Sequence, residues 1–196
     1  VTGTDFESIF GFNENENAIF KADLWDKAGN ITTGSASISN LHIDETLPTL
    51  TMVNQQTNNA IADSLAKVGD TDTLTFSSIE GLDSITIQIM NQSATWNGSN
   101  RDWIGSYTFQ NSDNDGSVPF NIVFGDAAGN MGLIVSETTD ESSIRFDGTK
   151  PTLSSVSFIS TNDLDTELAM VGDTLFLDFT SDEILITTEV LIAEST

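Results

Sequence analysis

The chain has 196 residues, 38% of them apolar and 8% aromatic, enough to build the core of one large domain or two small ones. Thirty acidic residues face six basic ones, leaving a formal charge of −24 that repels nucleic acid and anionic lipid and attracts cations. With no Cys and a single His42, a disulfide framework, a thiolate metal centre and a multi-histidine zinc site are excluded, and oxygen-ligand chemistry remains.

Taken in chain order, residues 1–46 read as the later strands of a unit. Phe20, Ala22 and Leu24 alternate toward one face and run into the turn sequence WDKAGN at 25–30. Residues 47–149 carry a full set, with strands expected near 50–54, 72–78, 84–90, 101–103, 105–110, 118–125 and 132–138 between turns rich in Gly, Asn, Asp and Ser. The two-residue period places Leu74 and Phe76, then Ile85, Ile87 and Ile89, then Phe120, Ile122 and Phe124 on one face, the expected core. Residues 150–196 begin the pattern again with Leu177 and Phe179, then Val190 and Ile192. No helical period intervenes, and no apolar run approaches the roughly 20 residues of a membrane span. The first residues lack the basic and apolar blocks of a secretion signal, so either a signal has been removed or the segment is internal.

The pattern is a repeat. IDETLPTL at 43–50 matches FDGTKPTL at 146–153, and AKVGDTDTLTF at 66–76 matches AMVGDTLFLDF at 169–179, both 103 residues apart. FKADLWDKAGN at 20–30 matches FNIVFGDAAGN at 120–130 with an offset of 100, and Asp5-Phe6 with Phe12 resemble Asp102-Trp103 with Phe109 with an offset of 97. Seven short strands in about 100 residues predict an all-β fold of tandem immunoglobulin-like seven-strand β-sandwiches. On this reading 1–46 is the C-terminal part of one unit, 47–149 a complete unit and 150–196 the N-terminal part of another. Such a segment belongs to a longer array. A sharper alternative has the partial units of neighbouring chains completing each other by strand complementation into a filament.

FDGTKPTL, AKVGDT and GDAAGN, with their partners in the other copies, resemble the bacterial immunoglobulin-like repeats found in tandem in very large secreted and surface proteins, including adhesins. The resemblance spans the whole chain. It implies an extracellular or cell-surface location, a spacer or adhesive role and calcium stabilisation, and it names no ligand.

Loop positions in a seven-strand sandwich lead to calcium independently. Alternate loops share a pole, so Asp44 and Glu45 of the entering segment, Glu80 and Asp83 of the second-to-third strand loop, and Asp126 and Asn130 of the last hairpin should meet at one end, offering the oxygen ligands that calcium takes. Gly129 supplies the positive φ that the hairpin needs. Asp147 and Glu183 would carry the same pole in the next unit, and Asp26 and Asn30 in the preceding one. Asp70 and the SDNDG turn, with Asp113 and Asp115, belong to the opposite pole, so consecutive units bring acid to acid, and calcium would turn that repulsion into a rigid joint. The bland account is that Asp, Asn and Gly satisfy turn geometry. Acid-rich surfaces also suit saline surroundings without any ion site.

Other features carry less. SDNDG lacks the twelfth-position Glu of an EF-hand loop, and the Asn30, Asn91 and Asn97 glycosylation patterns are matched by chance in so Asn- and Ser-rich a chain. Trp96 and Trp103 flank a loop with Arg101, a candidate sugar-stacking patch, although Trp103 reads as core. The prominent acids recur in turns at repeat spacing, as structure requires and a single active site does not, so no enzyme is expected. The partners expected are neighbouring repeats of the same or an identical chain and, as the alternative function, a surface glycan or cell ligand.

Overall fold

The computed structural model of the chain describes residues 20–36 and 44–192. His42, Asp5, Phe6 and Phe12 lie outside them. Fourteen strands and no helix occur among the described residues, so none of these residues forms a helix long and apolar enough to cross a membrane. By internal packing the chain divides into two compact units, Val1–Gly148 and Thr149–Thr196.

In the first unit, β1 (Phe20–Trp25) and β2 (Ile31–Ala36) form an antiparallel hairpin. The remainder is built on β3 (Leu50–Thr57), β5 (Thr71–Ser78), β8 (Thr95–Ser99) and β9 (Asp102–Thr108), ordered β3-β5-β9-β8 in one antiparallel sheet. A second antiparallel sheet has the order β11-β6-β7, from β6 (Ser84–Ile89), β7 (Gln92–Ser93) and β11 (Phe120–Gly125). Three two-residue strands, β4 (Leu65–Ala66), β10 (Gly116–Ser117) and β12 (Arg145–Phe146), form a small third sheet in which β12 pairs parallel with β4. In β5 burial alternates residue by residue, so Asp72, Leu74, Phe76 and Ser78 all face inward, as the period of two demands. That face, with Val53 and Trp103, joins Ile87 and Ile89 of β6 and Ile122 and Phe124 of β11 in one buried cluster. The arrangement is consistent with a β-sandwich.

Two expectations change in detail. The strands expected at 101–103 and 105–110 are one strand, β9, paired with the unexpected β8 across a tight turn in which Asn100 has φ 60°. Gly105 makes room inside that strand: a Cβ there would lie 2.8 Å from Ile87 Cδ1. The strand expected at 132–138 reduces to isolated bridges, Ile122 to Val135 and Gly125 to Met131.

In the second unit, β13 (Leu153–Ser160) and β14 (Leu175–Ser181) form an antiparallel pair. β13 occupies the residues 103 places after β3. Both strands carry a register irregularity at their start, Leu50/Met52 in one and Leu153/Ser155 in the other.

Candidate functional site

At the end of the first unit where β5 finishes, Asp44, Glu80 and Asp126 each bring one carboxylate oxygen within 4.8 Å of the others. Three separate segments deliver them. Glu80 follows β5, whose end is tied down by Ile79 N–H to the Thr49 carbonyl at 3.1 Å and by Ser78 N–H to the Arg101 carbonyl at 2.9 Å. Asp126 opens the GDAAGN turn, and Asp44 lies on the segment that leads into β3.

Asp126 is held by its own turn. Its Oδ1 accepts the backbone N–H groups of Ala128, Gly129 and Asn130 at 2.8–2.9 Å, and its Oδ2 accepts Asn130 Nδ2 at 2.9 Å. Gly129 makes the turn feasible with φ 97°. Burial works against ionisation of this carboxyl, but the Asn130 side chain and the three backbone donors outweigh it and hold its pKa below the usual carboxylate value. Asn130 Nδ2 also donates to the Asp44 backbone carbonyl at 2.9 Å, joining the hairpin to the entering segment. Asp44 is therefore placed by Asn130, which acts here as a donor that assembles the carboxylates.

The turn at 25–30 repeats this geometry. Asp26 Oδ1 accepts Ala28 and Asn30 N–H at 2.8 and 2.9 Å, Oδ2 accepts Asn30 Nδ2 at 2.7 Å, and Gly29 has φ 86°. The Asn30 side chain is the first cause of the lowered Asp26 pKa, followed by the backbone donors. The recurrence of DxAGN thus has a local reason: Asp closes the hairpin on its own backbone and Asn braces the Asp.

The remaining candidates lie elsewhere. Glu45 and Asp83 are exposed beside the cluster and contribute no atom to it. Asp70, Asp113 and Asp115 sit at the opposite end, each in a structural bond. Asp70 accepts Asn59 Nδ2 at 2.7 Å and Lys67 N–H at 2.9 Å and pairs with Lys67 Nζ at 2.9 Å. Asp113 accepts the Tyr107 hydroxyl at 2.9 Å, and Asp115 accepts Gly148 N–H at 2.6 Å, where the first unit ends. Asp147 is exposed, and Glu183 belongs to the second unit, where its N–H faces Ser181 Oγ at 3.4 Å. Trp103 is core at 8% exposure, whereas Trp96 is 49% exposed and meets the Trp103 ring edge-on at 5.5 Å.

One residue escaped sequence reasoning. Asp72 lies on the inward face of β5 with no exposure; its Oδ2 accepts Gln55 Nε2 at 2.7 Å, and its Oδ1 has no partner. Burial pushes its pKa up to about 7 against the opposing Gln55 bond. A signal existed in the internal repeat, because the position 103 residues later is Leu175, an apolar residue where this copy has a carboxyl. No family model, curated protein or solved structure matches this chain.

Proposed function

We propose that the chain is a stretch of tandem immunoglobulin-like repeats in an extracellular or surface protein, serving as a structural or adhesive spacer, with a divalent cation stiffening the end of the complete unit. The recurrence of β3 as β13 at a fixed offset, together with the identical closure of the Asp26 and Asp126 hairpins, supports the repeat. For the cation, the observation that carries the reading is the convergence of Asp44, Glu80 and Asp126 from three separate segments. The donors are all hard oxygens, the set that calcium takes in preference to softer metals. Asp126 Oδ1 is occupied by three N–H groups, whereas Oδ2 accepts Asn130 Nδ2 alone and so is the oxygen with lone-pair capacity to spare for an ion beside Asp44 and Glu80. A bound ion would fix Asp44, and with it the path by which the chain enters the unit. The reading assigns no catalytic step.

Thermal unfolding of the 196-residue chain against calcium tests it. Millimolar calcium should raise the melting temperature well beyond sodium chloride at matched ionic strength, and Glu80→Gln should abolish that difference while leaving the calcium-free melt nearly unchanged. Equal responses to the two salts would leave charge screening alone. The alternative of a carbohydrate-binding module is favoured by one observation, the half-exposed Trp96, and predicts glycan binding lost in Trp96→Ala.

A further inference from the structure

We propose that Asn97 is a self-modification site, at which the backbone nitrogen of Gly98 closes on the Asn97 side chain to a cyclic imide that water opens to Asp and isoAsp, and that the isoAsp form releases β8 from β9. Asn97-Gly98 is the only Asn-Gly step in the chain. Both residues are exposed on β8, the outermost strand of the β3-β5-β9-β8 sheet. Glycine matters as the following residue because no Cβ hinders its nitrogen during ring closure. The Asn97-Gly98-Ser99 run thus carries a chemistry of its own, separate from the glycosylation pattern that it matches.

The hairpin leaves the Gly98 nitrogen available. Asn100 and Arg101 alone join β8 to β9, so Ser99 and Asp102 are the pair that closes the hairpin with hydrogen bonds. Bonded and non-bonded pairs alternate along an antiparallel ladder, which puts Asn97 with Ile104 among the bonded pairs and turns the Gly98 N–H away from β9. It donates instead to Asn97 Oδ1 at 2.8 Å. A carbonyl bond is about 1.2 Å long, so the Asn97 carbonyl carbon lies within about 4 Å of that nitrogen. Rotation of the exposed amide about its broad terminal torsion brings the carbon toward the ~3–3.5 Å of a near-attack contact. In the reaction Gly98 N gives its proton to water and bonds to Asn97 Cγ; the Cγ–Nδ2 bond breaks, and Nδ2 departs as ammonia, taking up a proton. One water then opens the imide. Cleavage at the side-chain carbonyl restores the main chain and leaves Asp, whereas cleavage at the main-chain carbonyl routes the chain through Cγ and leaves isoAsp. Water is the sole co-reactant.

β8 has no slack for a longer main chain. A Cβ on Gly98 would collide with the Asp102 carbonyl oxygen and lie 2.7 Å from Trp103 Cε3, so the two strands are pressed together just after the reacting residue. An isoAsp adds one main-chain carbon at 97, and the pairs Gly98 with Trp103 and Ser99 with Asp102 then lose the register that Thr95 with Ser106 sets. Trp103 is 8% exposed and meets the Trp96 ring at 5.5 Å, so displacement of β8 uncovers it. An Asp at 97 changes the charge alone and leaves the length of the strand as it was.

Incubation of the full 196-residue chain in mildly alkaline buffer, followed by peptide mapping by mass, tests the proposal. Asn100, exposed in the same hairpin but followed by Arg101, is the internal reference. Asn97 should convert at least about tenfold faster than Asn100, to Asp and isoAsp together, and Asn97→Gln should remove the conversion at 97 while keeping the native melt. Equal rates at the two positions, or conversion at 97 only after unfolding in urea, overturns the site. Tryptophan emission checks the consequence. The isoAsp fraction, isolated chromatographically and identified by isoaspartyl methylation, should emit to the red of the native chain and be quenched more readily, with Asn97→Asp matching the native chain. Native emission from the isoAsp fraction overturns the release of β8, and an equal red shift in Asn97→Asp overturns the argument from chain length.

Discussion

Asp72→Asn replaces a carboxyl that is fully buried, bonded to Gln55 through one oxygen and unpartnered at the other, by a group of the same shape that cannot ionise. Burial raises the Asp72 pKa to about 7 from 3.8. Between those values the folded chain keeps a proton that the unfolded chain has released. Stability therefore falls by about 1.4 kcal/mol per pH unit through that window, roughly 4 kcal/mol in total, and levels off above pH ~7. Asp70, Asp126 and Asp140 act in the opposite sense. Their pKa values are lowered, that of Asp140 to about 2, so their contribution is present above the unfolded value and is lost as acid protonates them. The first unit should be most stable near pH ~4, more acidic than the usual optimum of about 5–8. The stability of Asp72→Asn minus that of the native chain should rise through the same window by roughly 4 kcal/mol, more than ten degrees of melting temperature for a unit of about 100 residues. Any cost of the unpaired amide nitrogen enters as a constant offset and leaves the slope intact. The assay is urea unfolding followed by tryptophan fluorescence from pH ~3.5 to 8.5 at constant high salt, so that surface repulsion cancels in the difference. A difference curve flat between pH ~4 and 7 would refute the assignment of a protonated carboxyl to this core.

Two further substitutions probe the turn and the core. Asp126→Ala strips three backbone donors of their acceptor and should destabilise the first unit by roughly 2–3 kcal/mol, with Asp126→Asn, which keeps an oxygen in place, losing much less by the same unfolding assay. Phe146→Ala removes a fully buried ring stacked on Phe109 at a centroid distance of 4.8 Å, and calorimetry should show a loss of roughly 3–5 kcal/mol.

The strands that bear the core were legible because alternation is a one-face signal. Leu74, Phe76, Ile87, Ile89, Ile122 and Phe124 are all buried where the period of two placed them. The errors fall where pairing, rather than pattern, decides. β8 is exposed at every residue, so no alternation marks it; hydrogen bonding to β9 alone makes it a strand. The strand expected at 132–138 carries apolar side chains yet bridges β11 only at Val135, with a second bridge just before it at Met131, and alternation cannot register the missing ladder bonds. Asp72 was invisible for the converse reason. Its position obeys the alternation, and only its chemistry departs from what a core residue should be.

For the acidic residues, sequence spacing could not separate two uses of the same side chain. In the Asp26 and Asp126 turns the carboxylate is consumed first as an acceptor for backbone N–H groups, a sufficient reason for the acid wherever the hairpin recurs. What distinguishes Asp126 is company: Asn130 reaches the Asp44 carbonyl, and Glu80 arrives from the end of β5. Asp70 and Asp113 show the other outcome, carboxylates spent on Lys67 and on the Tyr107 hydroxyl, whose own pKa burial and then the Asp113 bond push up to about 12. Loop counting placed both groups of acids at the ends of the unit, but only the hydrogen bonds decide which end gathers carboxylates and which pairs them off. A cation that stabilises this unit should therefore depend on Glu80 and be indifferent to Asp113, and Glu80→Gln beside Asp113→Asn in the calcium melt separates a converged site from a merely acidic surface. Equal loss of the calcium effect in both variants would mean that the ion responds to overall charge and that the convergence at Asp126 serves only the turn.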